Sequence, residues 1–245
     1  MKIINLKSNI METQKLNSRR KFIGSLTTGA MIAGLSLIPD PIQAKIKSQA
    51  FDFNVADIAT DGAKLDQTLK KLGAKAHPVA FDISQANPWG LIWSNVYYIT
   101  NSETGTSESD LGVLNVFRHH GMIFGLNDAT ISKYKLGEFF GLNDPITNAP
   151  TVRNPYYDPE DGVFPLPGLA GIKALQEKGT VFCICDMARK VYAQFVAQKV
   201  GAKTEDVYND FVAGTLPGVN AAPSGVWVLG RLAENKIAYT DASVG

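Results

Sequence analysis

The sequence has few of the residues that usually carry chemistry, with two cysteines and three histidines among 245 residues. It contains no basic stretch with interleaved aromatic residues, which excludes a nucleic-acid-binding surface. Glycine-rich phosphate loops, serine nucleophile elbows and His-Glu-x-x-His motifs are also missing. After residue 44, no apolar run is long enough to span a membrane. The content of 45% hydrophobic and 19% charged residues is ordinary for a globular protein.

The N-terminus resembles a twin-arginine export signal. Ser18–Gly24 reads S-R-R-K-F-I-G, and an apolar run over Phe22–Ile38 is followed by two prolines and the possible cleavage site Ile42-Gln43-Ala44. We expect residues 1–44 to be removed and the mature protein to be periplasmic. The alternative is that the run remains as a membrane anchor.

Removal of this leader changes the charge and defines the predicted domain organisation. Residues 1–44 hold six of the 24 basic and two of the 23 acidic residues, so the remainder carries a net charge of −3. We assign residues 45–77 to an N-terminal extension. Residues 78–245 form the predicted domain, which a Pro-rich insertion interrupts at 141–168.

Apolar runs alternate with helical periodicity along this domain. Strands are predicted at 78–83, 111–117, 180–185, 218–222 and 237–240. Helices are predicted at 61–72, 87–100, 122–140, 169–178, 187–200, 204–211 (capped by Thr204) and 226–234. The alternation predicts a three-layer α/β/α fold with a mostly parallel sheet of about five strands.

Both cysteines lie in the stretch T-V-F-C-I-C-D-M-A-R-K, which predicts a buried strand running into a helix. Cys183 and Cys185 point to the same face of the strand, too far apart for an unstrained disulfide. Two unpaired thiols in an oxidising compartment are either buried in the core or have a chemical function. Cys183 lies mid-strand and fits the core. Cys185 lies at the strand's carboxyl end, where α/β sheets bind ligands and a helix dipole favours the thiolate.

Other candidates follow the predicted strands at the same edge. His119 or His120 could deprotonate Cys185 or stabilise its thiolate, although a histidine hydrogen-bonded within the helix start is the alternative. Gly121 is a candidate ligand-binding position, but a tight turn alone explains a glycine there. Asp186 could cap the following helix or oppose ionisation of the thiol. These residue types also suit a metal, but no recognised ligand spacing is present, so no metal or other cofactor is predicted.

The Pro-rich insertion at 141–168 contains three aromatic residues, Tyr156, Tyr157 and Phe164, which predict an ordered loop packed on the domain. It is either a surface insertion that contacts another subunit or a lid over the strand ends. In the second case Arg153 could bind an anion above the site.

The order of several segments resembles the DsrE-like sulfur-relay family. These segments are L-G-V-L-N-V-F running into His-His-Gly, then L-Q-E-K-G before V-F-C-I-C, then P-S-G-V-W-V-L-G-R-L-A-E-N-K-I-A-Y. The likeness covers residues 78–239 and is interrupted by the insertion. It implies a homo-oligomeric α/β domain, a trimer or hexamer, with persulfide sulfur carried on Cys185. Export and the long insertion depart from the family pattern.

Three functions follow as hypotheses. The first is a periplasmic sulfur carrier that exchanges sulfur with a small sulfur compound or a thiol partner. The second is a non-catalytic oligomeric module that binds a small ligand or metal at the same edge. The third is a protein that acts only through its oligomeric surface, with Cys185 buried. None of the three involves nucleic acid, or a membrane once the leader is cleaved.

Overall fold

In the computed structural model, which describes residues 60–243, five strands pair into one all-parallel sheet in the order β4-β3-β2-β1-β5. The strands are β1 His77–Ile83, β2 Leu111–Phe117, β3 Val181–Cys185, β4 Val219–Ala222 and β5 Ala238–Asp241. Helices flank the sheet, which confirms the predicted α/β/α fold. The predicted export signal and residues 45–59 of the predicted extension lie outside the described residues.

Eight α-helices and two 3-10 helices are found in this part of the chain. The α-helices are α1 Ala63–Gly73, α2 Trp89–Glu103, α3 Asp128–Lys133, α4 Leu136–Phe140, α5 Ile172–Glu177, α6 Asp186–Val200, α7 Thr204–Ala213 and α8 Gly225–Leu232. The 3-10 helices span Glu108–Asp110 and His119–Gly125. None of the helices between residues 60 and 243 has the length and apolarity needed to cross a membrane.

One face of the sheet is covered by α1 and α8. The apolar core on this face joins side chains of these two helices to strand residues that include Cys183. Leu65, Leu69 and Leu72 of α1 are buried there, so a helix that precedes the predicted domain boundary is part of its core. On the opposite face, α2 packs on β1 and β2, and α6 packs on the 3-10 helix that follows β2.

The connections of β3 and β4 lead to opposite faces of the sheet. β3 runs into α6, whereas β4 runs into α8 on the face that carries Cys183. Such a divergence is expected where right-handed crossovers reverse direction along a sheet. The carboxyl ends of two strands that diverge in this way form the crevice where open α/β sheets bind ligands.

The helix predicted at 122–140 is instead three short pieces. The 3-10 helix ends at Gly125, and Asn127 then caps α3 by accepting a hydrogen bond from Thr130 N. Lys135 adopts a left-handed conformation between α3 and α4, which breaks the helical path. The predicted Thr204 cap of α7 is also wrong, because Lys203 occupies the cap position without a side-chain hydrogen bond.

The Pro-rich segment 141–168 is packed against the domain. Tyr156 and Phe164 are buried, and the Tyr156 ring lies 5.5 Å from that of Phe124 in the 3-10 helix. The Asn154 side chain donates hydrogen bonds to the carbonyls of Phe124 and Leu126 at 2.8 and 2.9 Å. The segment therefore rests on the turn that follows β2.

Candidate functional site

Cys185 is the last residue of β3 and the N-cap of α6. Its sulfur accepts a hydrogen bond from the Ala188 backbone N–H at 3.2 Å, satisfying one of the free amides at the helix start. Cys185 is 7% exposed and Cys183 is fully buried, and both are free thiols. The capping role expected of Asp186 therefore belongs to the cysteine itself.

A second helix start lies close to the sulfur. Gly225 begins α8, and its backbone also favours the thiolate, although within residues 60–243 only the Ala188 N–H makes a hydrogen bond of standard geometry to the sulfur. The Cys185 sulfur thus sits between the N-termini of α6 and α8, at the divergence of β3 and β4. Both helix dipoles stabilise negative charge there.

Arg118 is the basic side chain that the sheet brings beside Cys185. Phe117 of β2 pairs with Ile184 of β3, so Arg118 and Cys185 are neighbours where the strands end. The stem of Arg118 packs on Gly225, where an added Cβ would lie 2.6 Å from the Arg118 Cβ. Only a glycine therefore lets α8 start this close to the arginine.

A buried carboxylate on β1 fixes the guanidinium of Arg118. Asp82 is fully buried and accepts hydrogen bonds from Arg118 Nε at 2.6 Å and Nη2 at 2.8 Å. The Tyr239 hydroxyl donates a third bond to Asp82 at 3.1 Å. The Arg118 side chain remains 29% exposed. Its bidentate pairing restricts rotation of the guanidinium beside the thiol.

Burial dominates the electrostatics of both thiols. It raises the pKa of Cys185, opposed by the Gly225 and Ala188 backbones and by Arg118, whereas Asp186 raises it further. Burial, Cys185 and Asp82 all raise the pKa of Cys183. The Asp82–Arg118 pair therefore acts oppositely on the two sulfurs, since its carboxylate disfavours ionisation of Cys183 and its guanidinium favours ionisation of Cys185.

Asp186 is a structural hub next to the thiol. The carboxylate is fully buried and accepts hydrogen bonds from Arg189 Nη2 at 2.7 Å, Thr60 Oγ1 at 2.7 Å and the Tyr208 hydroxyl at 2.9 Å. Burial opposes its ionisation, but these partners and Lys190 hold its pKa below the usual range. Because these donors come from three different segments, the Asp186 carboxylate links α6 to α7 and to the chain before α1.

His119 and His120 lie at the predicted edge but face each other and an aromatic cluster. Their rings stack at 4.3 Å, and His120 lies 5.4 Å from Phe140 and 5.6 Å from Tyr192. Within residues 60–243, neither imidazole hydrogen-bonds to Cys185, and His120 Nε2 is buried without any hydrogen-bond partner. Burial, with the neighbouring His119, lowers the pKa of His120 to about 4. Burial and Arg118 lower that of His119.

A short strap formed by residues Thr60–Gly62 crosses between the two helix starts that hold Cys185. At one end Thr60 bonds to Asp186, the first residue of α6. At the other, an added Cβ on Gly62 would lie 2.6 Å from the Trp227 ring and 3.3 Å from Pro223, at the start of α8. The strap therefore links the starts of α6 and α8, the two helices that begin beside Cys185.

The remaining candidates have local roles. Arg153 pairs with Asp144 at 2.7 Å and with Glu160, both within the Pro-rich segment. Gly121 has no space for a ligand beside it, because an added Cβ would lie 2.2 Å from the Ile83 carbonyl oxygen. Across residues 60–243, no group of three or more His, Cys, Asp or Glu side chains is placed to hold a metal ion.

The assembled site contains one thiol, two helix N-termini and one restrained guanidinium. These groups suit a sulfur that becomes anionic, because the Ala188 and Gly225 backbones and Arg118 favour the thiolate, whereas burial and Asp186 oppose it. Arg118 was not among the residues that the sequence suggested. Its position directly after an apolar strand was the available signal. No protein-family profile, curated protein or solved structure matches this chain.

Proposed function

We propose that this chain is a sulfur carrier that binds sulfane sulfur on Cys185 as a persulfide. The observation that carries the proposal is the placement of the Cys185 sulfur between the N-termini of α6 and α8, at the divergence of β3 and β4. A terminal persulfide sulfur is anionic, and this setting favours negative charge. Cys183, which lacks these partners, is the structural thiol.

The proposed reaction exchanges one sulfur–sulfur bond for another. The Cys185 thiolate attacks a sulfur of a polysulfide or organic persulfide, and a bond forms between Sγ and the transferred sulfur. The donor's own sulfur–sulfur bond breaks, and its remaining fragment leaves with the electron pair as hydrosulfide or a thiolate. No external oxidant or reductant is needed. An acceptor thiolate removes the sulfur by the same exchange.

Because burial raises the thiol pKa, the thiolate is a minor species at neutral pH. The rate of sulfur uptake should therefore rise with pH between 7 and 9. Arg118 and the two helix starts, rather than a histidine base, limit the free-energy cost of ionising the Cys185 thiol. His120, whose pKa is lowered to about 4, is neutral in this range and contributes no charge to the site.

The matched variants Cys185→Ser and Cys183→Ala test the proposal. Each protein is exposed to inorganic polysulfide under anaerobic conditions, separated from reagent, and assayed for sulfur released to an added thiol. We expect the Cys183→Ala protein to load and release sulfur, and the Cys185→Ser protein to do neither while keeping a cooperative unfolding transition. Equal loading of the two variants would refute the assignment to Cys185.

We propose in addition that the protein is exported by the twin-arginine route and acts in the periplasm. The supporting feature is the sequence Ser18–Gly24 with its following apolar run. Replacement of Arg19 and Arg20 by lysine should leave unprocessed protein in the cytoplasm. Normal processing of that double variant would refute the assignment.

A homo-oligomer is the proposed working form. One side of α2 exposes apolar side chains: Trp89, Val96 and Ile99 are 36%, 40% and 47% exposed. Exposed apolar groups clustered on one helix favour association. Light scattering of the protein should give a mass that is a multiple of the chain mass, and Val96→Glu should lower it. A monomer at all concentrations would contradict the proposal.

A further inference from the structure

The guanidinium of Arg118 has donors that the protein does not use. Nε and Nη2 bind Asp82, whereas Nη1 makes no hydrogen bond within residues 60–243. The side chain is 29% exposed, although the carboxylate that holds it is fully buried. One edge of a fixed cation is therefore left for an external group.

Arg118 lies beside Cys185 at the carboxyl edge of the sheet. Arg118 comes directly after the last residue of β2, and Cys185 is the last residue of β3. The two strands pair in parallel. The arginine stem lies against Gly225, the first residue of α8. A molecule that binds at the sulfur therefore lies near a fixed positive charge and the positive end of a helix dipole.

The carboxylate partner does not cancel this field at the sulfur. Asp82 lies one strand farther away, on β1, and accepts bonds from Arg118 and Tyr239. The pKa effects agree with this arrangement, because Asp82 raises the pKa of Cys183, whereas Arg118 lowers that of Cys185. The pair is an oriented dipole whose positive end faces the reactive position.

We propose that Arg118, held in place by Asp82, makes the Cys185 site selective for anionic reactants, so that the sulfur donor carries its negative charge next to the sulfur it gives up. This proposal rests on the proposed sulfur-carrier function. It names the donor class as polysulfide anions, in which the charged terminal sulfur is bonded to the sulfur that Cys185 attacks, rather than neutral polysulfanes. Arg118 also stabilises the fragment that leaves as an anion, because the exchange ends with negative charge on both products.

The test compares alkylation of Cys185 by iodoacetate and by iodoacetamide, which differ mainly in charge. Both reagents consume the same thiolate, so the ratio of their rate constants is independent of the thiol pKa and of general access. Rates are read from the peptide that contains Cys185 in the folded protein at low ionic strength. A fixed positive charge close to the thiolate is expected to raise the rate constant for an anionic reagent by about tenfold relative to that for a neutral one.

The variants separate charge from structure. Loss of Arg118 alone would leave Asp82 buried without a partner, so the neutral pair Arg118→Gln with Asp82→Asn is used instead. We expect its iodoacetate-to-iodoacetamide ratio to fall by about tenfold, and Arg118→Lys to keep the ratio within about twofold of wild type. Arg153→Gln is the matched control, since that arginine is 31% exposed and also pairs with a carboxylate. It should leave the ratio unchanged.

A second measurement needs no variant. Raising the salt concentration from 0.01 M to about 1 M should lower the wild-type ratio toward that of free glutathione. An unchanged ratio in the neutral pair, or a wild-type ratio equal to that of glutathione at low salt, would overturn anion selection.

The result is distinguishable from failure of the sulfur-carrier function. If the ratio depends on Arg118 but polysulfide never loads Cys185, anion selection stands as a property of the thiol and sulfur carriage is wrong. If polysulfide loads Cys185 and the iodoacetate-to-iodoacetamide ratio is unchanged in the neutral pair, sulfur carriage stands and anion selection is wrong. A Cys185 that reacts with neither reagent until denaturant is added would overturn both.

Discussion

Stability should decrease when the pH falls from 7 to 5, because His120 is buried in a setting that excludes its charged form. The ring is 5% exposed, stacks on His119 and contacts Phe140 and Tyr192. Its Nε2 has no hydrogen-bond partner in the described part of the chain. A protonated imidazole would place a second N–H donor and a charge among these rings.

The magnitude follows from the pKa values of the two states. Folding lowers the pKa of His120 from 6.5 to about 4, so the unfolded chain binds the proton first as the pH falls. The contribution of the neutral ring is fully present above pH 6.5 and is lost as the pH falls toward 4. Between pH 7 and pH 5 the loss is about 2 kcal/mol of unfolding free energy. His119 acts in the same direction, because burial also lowers its pKa.

Urea titrations at pH 5, 6 and 7 and constant ionic strength measure this effect. His120→Phe should flatten most of the dependence, because a phenyl ring keeps the packing and removes the titrating nitrogen. His77→Gln is the control variant, at an exposed position that begins β1, and it should keep the wild-type slope. A wild-type stability that is flat over this range, or a His120→Phe protein with the full slope, would refute the reasoning.

Asp186→Asn should cost about 3–5 kcal/mol in urea unfolding, because the buried Arg189 would lose its counter-charge; a loss under about 1 kcal/mol would contradict the hub role. Thr60→Ala removes the hydrogen bond that holds the strap to Asp186 and should speed alkylation of Cys185 by iodoacetamide, with Cys183 still inert. An unchanged rate would mean that the strap does not limit access. Limited proteolysis of the native protein should spare residues 141–168, in which Tyr156 and Phe164 are buried; early cuts there, with the rest intact, would contradict a packed segment.

Much of the fold was predictable because the three central strands, β1, β2 and β3, are buried on both faces. Such strands are continuous apolar runs, and β2 occupies Leu111–Phe117 as predicted. The segment after β2 was not predictable in the same way. Its apolar residues are spaced as in a helix, but the left-handed conformation of Lys135 breaks the helical path. That conformation is not encoded by a glycine, so the local sequence carries no sign of it.

The candidate site was predictable only in part. The strand-to-helix switch in the sequence locates Cys185, since the continuous apolar run of the strand gives way there to apolar residues at three- and four-residue spacing. The placement of Arg118 beside Cys185 depends on the strand order, which puts β2 next to β3. No pattern within a single segment specifies which strands are neighbours. The capping of α6 by Cys185 rather than Asp186 depends on side-chain geometry, because a carboxylate is ordinarily the better cap.

The most direct test of the account is the mass of the two cysteine positions after exposure of the folded wild-type protein to polysulfide. The loaded protein is blocked with an alkylating agent, digested and mapped, with and without prior treatment by an added thiol. We expect one extra sulfur atom on Cys185, none on Cys183, and loss of that sulfur after thiol treatment. Sulfur on Cys183, or no sulfur on either position until the protein is unfolded, would contradict it.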